Sequence, residues 1–407
     1  MSRRIPVFLA VVTLLLSTGW IAEGQTTTGR IRGSVTDPEG GAMPGATVEV
    51  SGDALKGSTR TVVTGETGDF RFASLPPGLY AVTAQMEGFE VDKTTYPYGA
   101  DHYLETGVDM PAEAFEEMAT KEALLLGAIG DPRVETGFLE RKIIWGVRQT
   151  YDLYVNLRPV KLYNEDLCPL KGKQPADVDM LIVRENTEDA YAGLGGIHRI
   201  GTPHEVAVAE MIYTRNGVER VIRYAFDLAV KRNKGGAPQV TLVDKANAIR
   251  AQDIWTRCFA EVASEYPQVK TDHAYIDAAC MWMVKNPEWF DVVVTPNLFG
   301  DILTDLGAMV QGGMGIAASG NIHPGKLSMF EPIHGSAPKY RGQDKANPLA
   351  TIEVVRMMLE HIGEDAGAKR IGDAVASVLT SGNVKSLGAG VHSTTEWGDM
   401  IMGALGA

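Results

Sequence analysis

The sequence predicts an α/β fold preceded by a small all-β module. Three features of the chain support this prediction. From about Gly88 onward, short apolar runs alternate with helical patterns, as in a sheet covered by helices. Before that point, polar and apolar side chains alternate between turn signals, which is typical of half-buried strands. The chain begins with a third kind of segment, which has a basic start and a short apolar run.

Residues 1–24 have the pattern of a secretory signal peptide. Arg3 and Arg4 precede an apolar run from Ile5 to Leu16, and small residues follow it. This run is shorter than the roughly 20 apolar residues that a transmembrane helix needs. A buried N-terminal helix is the alternative, although nothing amphipathic follows the run. The segment therefore predicts export of the chain.

Residues 25–87 are predicted to form the all-β module. They contain the string G-x-V-x-D-x-x-G-x-x-x-P-G-A-x-V, from Gly33 to Val48, and G-x-F-x-F-x-x-L-P-P-G-x-Y, from Gly68 to Tyr80. Both strings combine strand-like alternation with glycine and proline turns. The segment resembles the carboxypeptidase-regulatory-like β-sandwich found ahead of the plug in exported TonB-dependent receptors. It contains no catalytic constellation.

Four short apolar runs in the α/β part have the composition of strands buried in a mixed or parallel sheet. They cover residues 123–130, 180–183, 240–243 and 292–295. Helical patterns run from Val218 to Lys231 and from Ala251 to Tyr266. A long helix is predicted to start at Asn347-Pro348, because asparagine caps helices and proline suits the first helical position.

Charge and cysteine content exclude some classes of function. The formal net charge of the 407 residues is −13, which argues against a nucleic-acid partner because phosphate binding needs a basic surface. Cys168, Cys258 and Cys280 have no metal-type spacing and leave an odd count. They indicate reduced thiols in a cytosolic domain rather than a disulfide framework.

Asp301 and Asp305 form the first candidate site. A spacing of four residues places both carboxylates on one helical face, where they can share a hard divalent cation. Such a pair is more often part of a solvent-exposed face. Here the apolar neighbours Ile302, Leu303 and Leu306 place the acids near a core, where a carboxylate needs a partner.

Three arginines form the second candidate site. Arg148, Arg158 and Arg184 each lie beside a predicted strand or helix end. Arg184 directly follows an apolar run, so its guanidinium group could meet a carboxylate at the end of that strand. Three surface ion pairs are the alternative, which these residues alone favour.

The third candidate is the loop from Glu331 to Gly342. Its small residues would let the backbone approach a phosphate or an adenine ring closely. The loop does not match the G-x-G-x-x-G fingerprint, and no Rossmann or Walker sequence occurs in the chain. By itself the loop says little about function.

Together and in this order, these segments resemble the isocitrate and isopropylmalate dehydrogenase family over roughly 320 residues. The matching strings are LLLGAIG, DLYxNLRPxK, RENTExxYAG, VDKAN, DxAYIDA, FGDILTD, GGMGxAASGN and FEPxHGSAPxxxGxxxANP. The resemblance implies the family's two-domain α/β fold. It implies a large cofactor-binding domain at 88–157 and 307–407, and a small domain at 158–306 that carries dimer and metal-binding elements.

The resemblance also implies roles at the reaction centre. The three arginines would bind the carboxylates of a small 2-hydroxy dicarboxylate. Asp301 and Asp305, with Asp277 from a partner subunit, would hold Mg²⁺ or Mn²⁺. Lys245, also from the partner, would be the base or its relay, and Tyr191 would deliver the final proton. Shared sites of this kind imply a homodimer.

The resemblance places the adenosine of a dinucleotide against the third candidate site. The residues implied are His334, Gly335, Ser336, Ala337 and Asn347. NAD is expected on family grounds. Lys339 and Tyr340 are instead similar to the pair that contacts the 2′-phosphate in NADP-dependent isocitrate dehydrogenases, so NADP stays open.

The expected reaction is the oxidative decarboxylation of 3-isopropylmalate to 4-methyl-2-oxopentanoate, a step of leucine biosynthesis. In the isocitrate branch, small polar residues before the first arginine meet a third carboxylate. Here Ile143, Ile144 and Trp145 suit an isopropyl group instead. Tartrate, another alkylmalate or isocitrate remain alternatives.

The family's first strand and its G-D-G-I-G-P-E turn have no counterpart in this sequence, because the resemblance starts near Phe89. We therefore expect a fusion with impaired stability and turnover, whether natural or from misassembled sequence. The competing class is an exported β-module that carries a non-catalytic passenger. The family implies a cytoplasmic enzyme, whereas residues 1–24 predict export.

Overall fold

A computed structural model describes residues 29–36, 42–43, 45–65, 67–85 and 91–405. The predicted signal peptide lies outside these residues. Contacts group the chain into two units, one made of Met1–Thr95 with Leu405–Ala407 and the other of Tyr96–Ala404. Among the described residues, no helix is both long and apolar enough to cross a membrane.

The first unit contains the predicted all-β module. Its strands are β1 (Gly29–Ser34), β2 (Thr47–Ser51), β3 (Arg60–Val63), β4 (Asp69–Leu75) and β5 (Ala81–Gln85). β1 pairs with β4, and β2 lies between β3 and β5, in both cases antiparallel. Alternate residues of β2 and β4 enter a small core that includes Val48, Val50, Phe70 and Phe72. The alternation in the sequence thus becomes one buried face.

The second unit is built on one sheet of eight strands. In chain order these are β6 (Ala123–Leu125), β7 (Val155–Lys161), β8 (Asp179–Glu185), β11 (Gln239–Asp244), β12 (Lys270–Tyr275), β13 (Val292–Thr295), β14 (Ala318–Ile322) and β15 (Ser328–Pro332). Their spatial order is β12-β11-β13-β8-β7-β14-β15-β6. β8, β13, β11 and β12 are parallel, and β7 is antiparallel to both β8 and β14. A separate antiparallel hairpin consists of β9 (Gly195–His198) and β10 (Val206–Ala209).

Helices accompany these strands. They are α1 (Ala100–Thr106), α2 (Ala112–Met118), α3 (Gly146–Thr150), α4 (Arg215–Arg232), α5 (Asp253–Ala263), α6 (Ile276–Lys285), α7 (Asn297–Val310), α8 (Leu349–His361), α9 (Asp365–Thr380) and α10 (Thr394–Leu405). A π-helical turn, Glu140–Trp145, leads into α3. The α/β fold predicted from the alternating pattern is therefore confirmed.

The buried faces follow the apolar patterns in the sequence. On β13 every residue is buried, and Val183 of β8 and Val240 of β11 join the same core as the apolar stripe of α4. Strands covered on both faces need such continuous apolar runs. Because burial in this core imposes the apolar spacing, the predicted strands and helix lie near the observed β8, β11, β13 and α4.

Two predicted boundaries differ from the structure. The run 123–130 continues the strand only to Leu125, after which the chain turns into a loop at Gly127 and Gly130. Gly130 has a φ of 122°, a conformation that L side chains rarely adopt. The predicted start at Asn347 is also displaced, because α8 begins at Leu349 and the Asn347 side chain accepts a hydrogen bond from the Leu349 N–H at 2.9 Å.

Candidate active site

Two buried arginines lie side by side in the sheet. Arg158 is on β7 and Arg184 is near the end of β8, and only 6% and 2% of their surfaces are exposed. The Nε of Arg158 donates to Asn156 Oδ1 at 2.8 Å, and its Nη1 donates to Thr304 Oγ1 at 2.5 Å. The Nε of Arg184 donates to Asn297 Oδ1 at 2.9 Å. Neutral partners therefore fix both side chains and leave their charges for acids.

Asp301 and Asp305 supply those acids from successive turns of α7. Asp301 accepts a hydrogen bond from Arg184 and lies 3.7 Å from Nη2 of Arg158. Asp305 is 3.7 Å from Nη1 of Arg158, and 59% of its side chain is exposed. The predicted i, i+4 pair is thus one face of α7 that meets the buried arginines.

The pKa values reflect this crowding. Burial, with Arg184 as a like-charged neighbour, lowers the pKa of Arg158 to about 9. Burial also acts on Asp301 and favours its neutral form, but the nearby Arg184 and the Tyr191 hydroxyl outweigh it, so its pKa is below the ordinary range. At Asp305 burial prevails and raises the pKa. A cation or anion that binds here would therefore meet arginines and aspartates whose charges already offset one another in part.

Arg148 extends the positive surface from α3. Its Nη2 donates to Oε1 of Glu331, on β15, at 3.0 Å. Its Nε is buried and has no hydrogen-bond partner among the described residues. A buried donor without a partner costs free energy. Arg148 can therefore take a further acceptor, such as a ligand carboxylate.

Tyr191 lies directly over this cluster. Its hydroxyl donates to Asp301 Oδ2 at 2.7 Å, and its ring is 5.5 Å from the guanidinium carbon of Arg184. Burial and the neighbouring Asp301 raise the pKa of Tyr191 to about 12, so the phenol carries its proton at neutral pH. The Trp145 ring is next to it, with 6.5 Å between the ring centroids.

Lys245 and Asp277 form a separate pair. Lys245 follows β11, Asp277 is in the first turn of α6, and Nζ donates to Oδ1 at 2.6 Å. The hydrogen bond to Lys245 holds the pKa of Asp277 below its usual value. In the described part of the chain, no hydrogen bond or ion pair joins Lys245 or Asp277 to Asp301. One copy of the chain thus brings together the arginines, Tyr191 and two acids, but not all predicted residues.

A divalent cation would find two suitable ligands here. No group of three or more histidines, cysteines and acids able to hold a metal occurs among the described residues. Asp301 and Asp305 nevertheless present carboxylate oxygens on one helical face, the ligand type that Mg²⁺ and Mn²⁺ favour. A third acid would have to come from elsewhere, as the prediction for Asp277 requires.

A cleft of about 520 Å³ lies against the third candidate site. Ser336, Ala337 and Tyr340 line it, and the Ser336 hydroxyl donates to the carbonyl of Gly130 on the opposite wall. Ala337 has a φ of 45°, so the loop turns sharply there. The loop and the segment around Gly130 therefore form two walls of a pocket large enough for a small ligand.

The other predicted cofactor residues occupy less direct positions. The Lys339 ammonium lies over the Tyr340 ring, 4.8 Å from its centroid. His334 contacts the Gly335 carbonyl at 3.1 Å, and Asn347 donates to the Leu387 carbonyl at 3.1 Å. Asn347 thus fixes the chain before α8.

The sequence patterns do not point to most residues that line the cleft, and four of these bear on its chemistry. They are Asp101, Gly130, Asp131 and Arg341. Arg341 directly follows the predicted Lys339-Tyr340 pair, so its position could have indicated a role. Asp101 belongs to no motif and reaches the cleft only through the fold.

Comparisons with known proteins find relatives of both parts of the chain. A family model described as isocitrate/isopropylmalate dehydrogenase matches residues 79–401, and one described as carboxypeptidase regulatory-like domain matches residues 30–104. The second match confirms the resemblance predicted for the all-β module.

Individual relatives support the first match. The 3-isopropylmalate dehydrogenase of Thermobifida fusca is 50% identical over 326 residues, which cover 79% of this chain and 90% of the relative. The enzyme of the same name from Frankia casuarinae is 49% identical over 313 residues, covering 76% and 90%. The crystal structure of isocitrate dehydrogenase from Methylococcus capsulatus superposes with a TM-score of 0.68 at 34% identity, covering 76% of this chain and 89% of that one. The chain therefore belongs to the isocitrate/isopropylmalate dehydrogenase family.

Proposed function

We propose that this chain oxidises and decarboxylates 3-isopropylmalate to 4-methyl-2-oxopentanoate, a step of leucine biosynthesis, with transfer of a hydride to NAD. The observation that carries this proposal is the cluster in which Arg158 and Arg184 face Asp301 and Asp305 while Arg148 pairs with Glu331, in a chain 50% identical over 326 residues to an enzyme of that name. Three cations and two acids in this part of the fold suit a dicarboxylate with a divalent cation.

Substrate binding follows from the arginines. Arg148 offers its unpartnered Nε, and the buried Arg158 and Arg184 are already aligned by Asn156 and Asn297. A carboxylate that reaches them gains charge-assisted hydrogen bonds without reorganising the side chains. The substrate is thereby held with its hydroxyl-bearing carbon in one orientation.

The metal would be held by Asp301 and Asp305, with Asp277 from a second copy of the chain. When bound, Mg²⁺ or Mn²⁺ supplies Lewis-acid stabilisation of the negative charge that develops as CO₂ leaves. The two aspartates are held close to Arg158 and Arg184 in the structure. The arginines therefore position the carboxylates as well as the substrate.

Two side chains would move protons. Lys245 from the second copy would accept the hydroxyl proton, directly or as a relay, while hydride leaves the same carbon. Tyr191 would donate a proton to the carbon that loses CO₂, and this role is supported by its contact with Asp301 and by a phenol that keeps its proton at neutral pH.

Selectivity for an isopropyl group is supported by Trp145 rather than by all three predicted apolar residues. Ile143 is only 4% exposed and packs in the core beside Leu139 and Val147, and Ile144 packs against the same core. Trp145 lies next to Tyr191 instead. An aromatic wall there favours an alkyl group over a third carboxylate. Tartrate and other alkylmalates are the competing substrates.

The shared sites require a homodimer. Every residue of the β9–β10 hairpin is exposed, including Ile197, Val206 and Val208. An isolated two-stranded hairpin is marginally stable in water. Exposed apolar side chains also occur on α6 and α7, at Met281 and Ile302. Both surfaces suit a second copy of the chain.

Two further properties are the cellular compartment of the chain and its ability to turn over substrate. We place the enzyme part in the cytoplasm on family grounds. The signal-like residues 1–24 and the lack of the family's glycine turn favour a second candidate, an exported fusion with little or no turnover. In that case the all-β module would be the binding or structural element.

Turnover of the full-length protein tests the proposal. The assay combines 2R,3S-isopropylmalate with Mg²⁺ or Mn²⁺ and records reduction of NAD⁺ and of NADP⁺ in parallel. We expect turnover that Lys245→Ala abolishes and that Lys270→Ala, an exposed lysine on β12, leaves unchanged. Absence of turnover from soluble, dimeric protein would contradict the enzyme proposal and favour the exported fusion.

A further inference from the structure

The cleft beside Ser336 contains a network of charges that the proposed chemistry does not use. Asp101, from α1, accepts a hydrogen bond from Arg133 Nη2 at 2.7 Å. Its Oδ2 accepts one from Arg341 Nη2 at 2.9 Å, and Arg341 Nη1 donates to Oδ1 at 3.4 Å. Asp131 holds the other side of Arg133, at 2.6 and 2.8 Å. Asp101 therefore links Arg133 to Arg341, and Asp101 and Arg341 line the cleft.

The hydrogen bonds to Asp101 occupy the guanidinium group of Arg341. The hydrogen bonds from Arg341, and then from Arg133, hold the pKa of Asp101 below its usual value, so this carboxylate is charged at neutral pH. Asp101, Arg341 and Tyr340 all line the same cleft. A ligand in the cleft thus meets a fixed negative charge and an arginine that is already paired.

We propose that Asp101 sets the cofactor preference of this chain by excluding the 2′-phosphate of NADP. The inference rests on the proposed function, in that the adenosine of the cofactor occupies this cleft. A 2′-phosphate carries about −1.5 to −2 charges at pH 7, as other phosphate monoesters do. It would be repelled by Asp101 and would have to compete with it for Arg341.

The positive charge needed for NADP is nevertheless present. Lys339 and Arg341 precede and follow Tyr340 in the sequence, and the Lys339 ammonium lies over the Tyr340 ring. Loss of the Asp101 charge would free the Arg341 guanidinium group for bidentate contact with a phosphate. The preference for NAD therefore depends on the carboxylate that occupies Arg341 rather than on a lack of basic residues.

Nucleotide binding to the full-length protein tests this inference without relying on turnover. Isothermal titration calorimetry with adenosine 2′,5′-bisphosphate and with 5′-AMP would compare the wild type with Asp101→Asn. Glu105→Gln, on the same helix but outside the cleft, removes an equal charge and is the matched control. We expect Asp101→Asn to raise affinity for the 2′,5′-bisphosphate about tenfold and to change that for 5′-AMP less than about twofold.

The double variant Asp101→Asn, Arg341→Gln assigns the gain to the freed arginine. We expect the tenfold gain to disappear in it, and Glu105→Gln to behave as the wild type. Equal affinities of Asp101→Asn and the wild type would overturn the inference while leaving the proposed reaction intact. If neither nucleotide binds any variant although the protein turns over, the cleft is not the adenosine site and the inference is wrong.

Discussion

Replacing Asp301 with asparagine removes one charge from between two buried arginines. The side chains of Arg184 and Arg158 are only 3% and 7% exposed, and Asp301 pairs with both, whereas Asp305 pairs with Arg158 alone. Asparagine keeps an oxygen that can accept the hydrogen bond from Arg184, so the change isolates the charge. The matched variant is Asp305→Asn, which removes an equal charge one turn further along α7.

The structure gives different magnitudes for the two variants. Breaking a fully buried ion pair costs about 3–5 kcal/mol. The Asp301 side chain is 39% exposed, so solvent screening reduces the expected loss of stability to about 1–3 kcal/mol. Asp305 is 59% exposed and pairs with Arg158 alone, at 3.7 Å, which limits its contribution to about 0.5 kcal/mol.

Urea unfolding without added metal measures these differences. We expect a lower unfolding free energy for Asp301→Asn and an almost unchanged one for Asp305→Asn, while both variants lose metal-dependent turnover. Equal stability of the two variants would refute the argument that Asp301 compensates the buried arginines. Retained turnover in either variant would refute its role as a metal ligand.

Three further predictions concern other parts of the site. Tyr191→Phe should lower kcat about 10²–10³-fold with KM nearly constant, since a general acid contributes about that much. A comparable loss of substrate affinity would contradict its role in proton transfer. Burial raises the pKa of Glu185 from 4.5 to about 7. The folded state therefore retains a proton that the unfolded chain releases, so the free energy of unfolding falls as pH rises from about 4.5 to 7. Glu185→Gln should reduce that fall by roughly 2–3 kcal/mol in urea titrations. Val208→Asp, on the exposed hairpin, should shift the protein toward monomer in sedimentation velocity, and an unchanged dimer would exclude the hairpin as an interface.

The parts of the fold that depend on local periodicity could be predicted from the sequence. Helix α4 and strands β8, β11 and β13 lie where their apolar patterns placed them, because burial on a sheet or helix face imposes that spacing. The pairing of Asp301 with Asp305 on one face of α7 followed from the same periodicity.

Contacts between distant segments could not be predicted in this way. The position of Arg184 near a strand end was visible, but its hydrogen bond to Asp301 joins residues 117 positions apart. The Asp101–Arg341 contact spans 240 positions and belongs to no motif. Ile143 was expected to face the substrate, yet the π-helical turn before α3 directs it into the core.

The most direct test of the central claim is the stoichiometry of products from full-length protein with 3-isopropylmalate. We expect one CO₂ and one 4-methyl-2-oxopentanoate for each reduced nicotinamide cofactor, and slower turnover of isocitrate and tartrate than of 3-isopropylmalate. Cofactor reduction without CO₂ release, or faster turnover of isocitrate or tartrate, would contradict it.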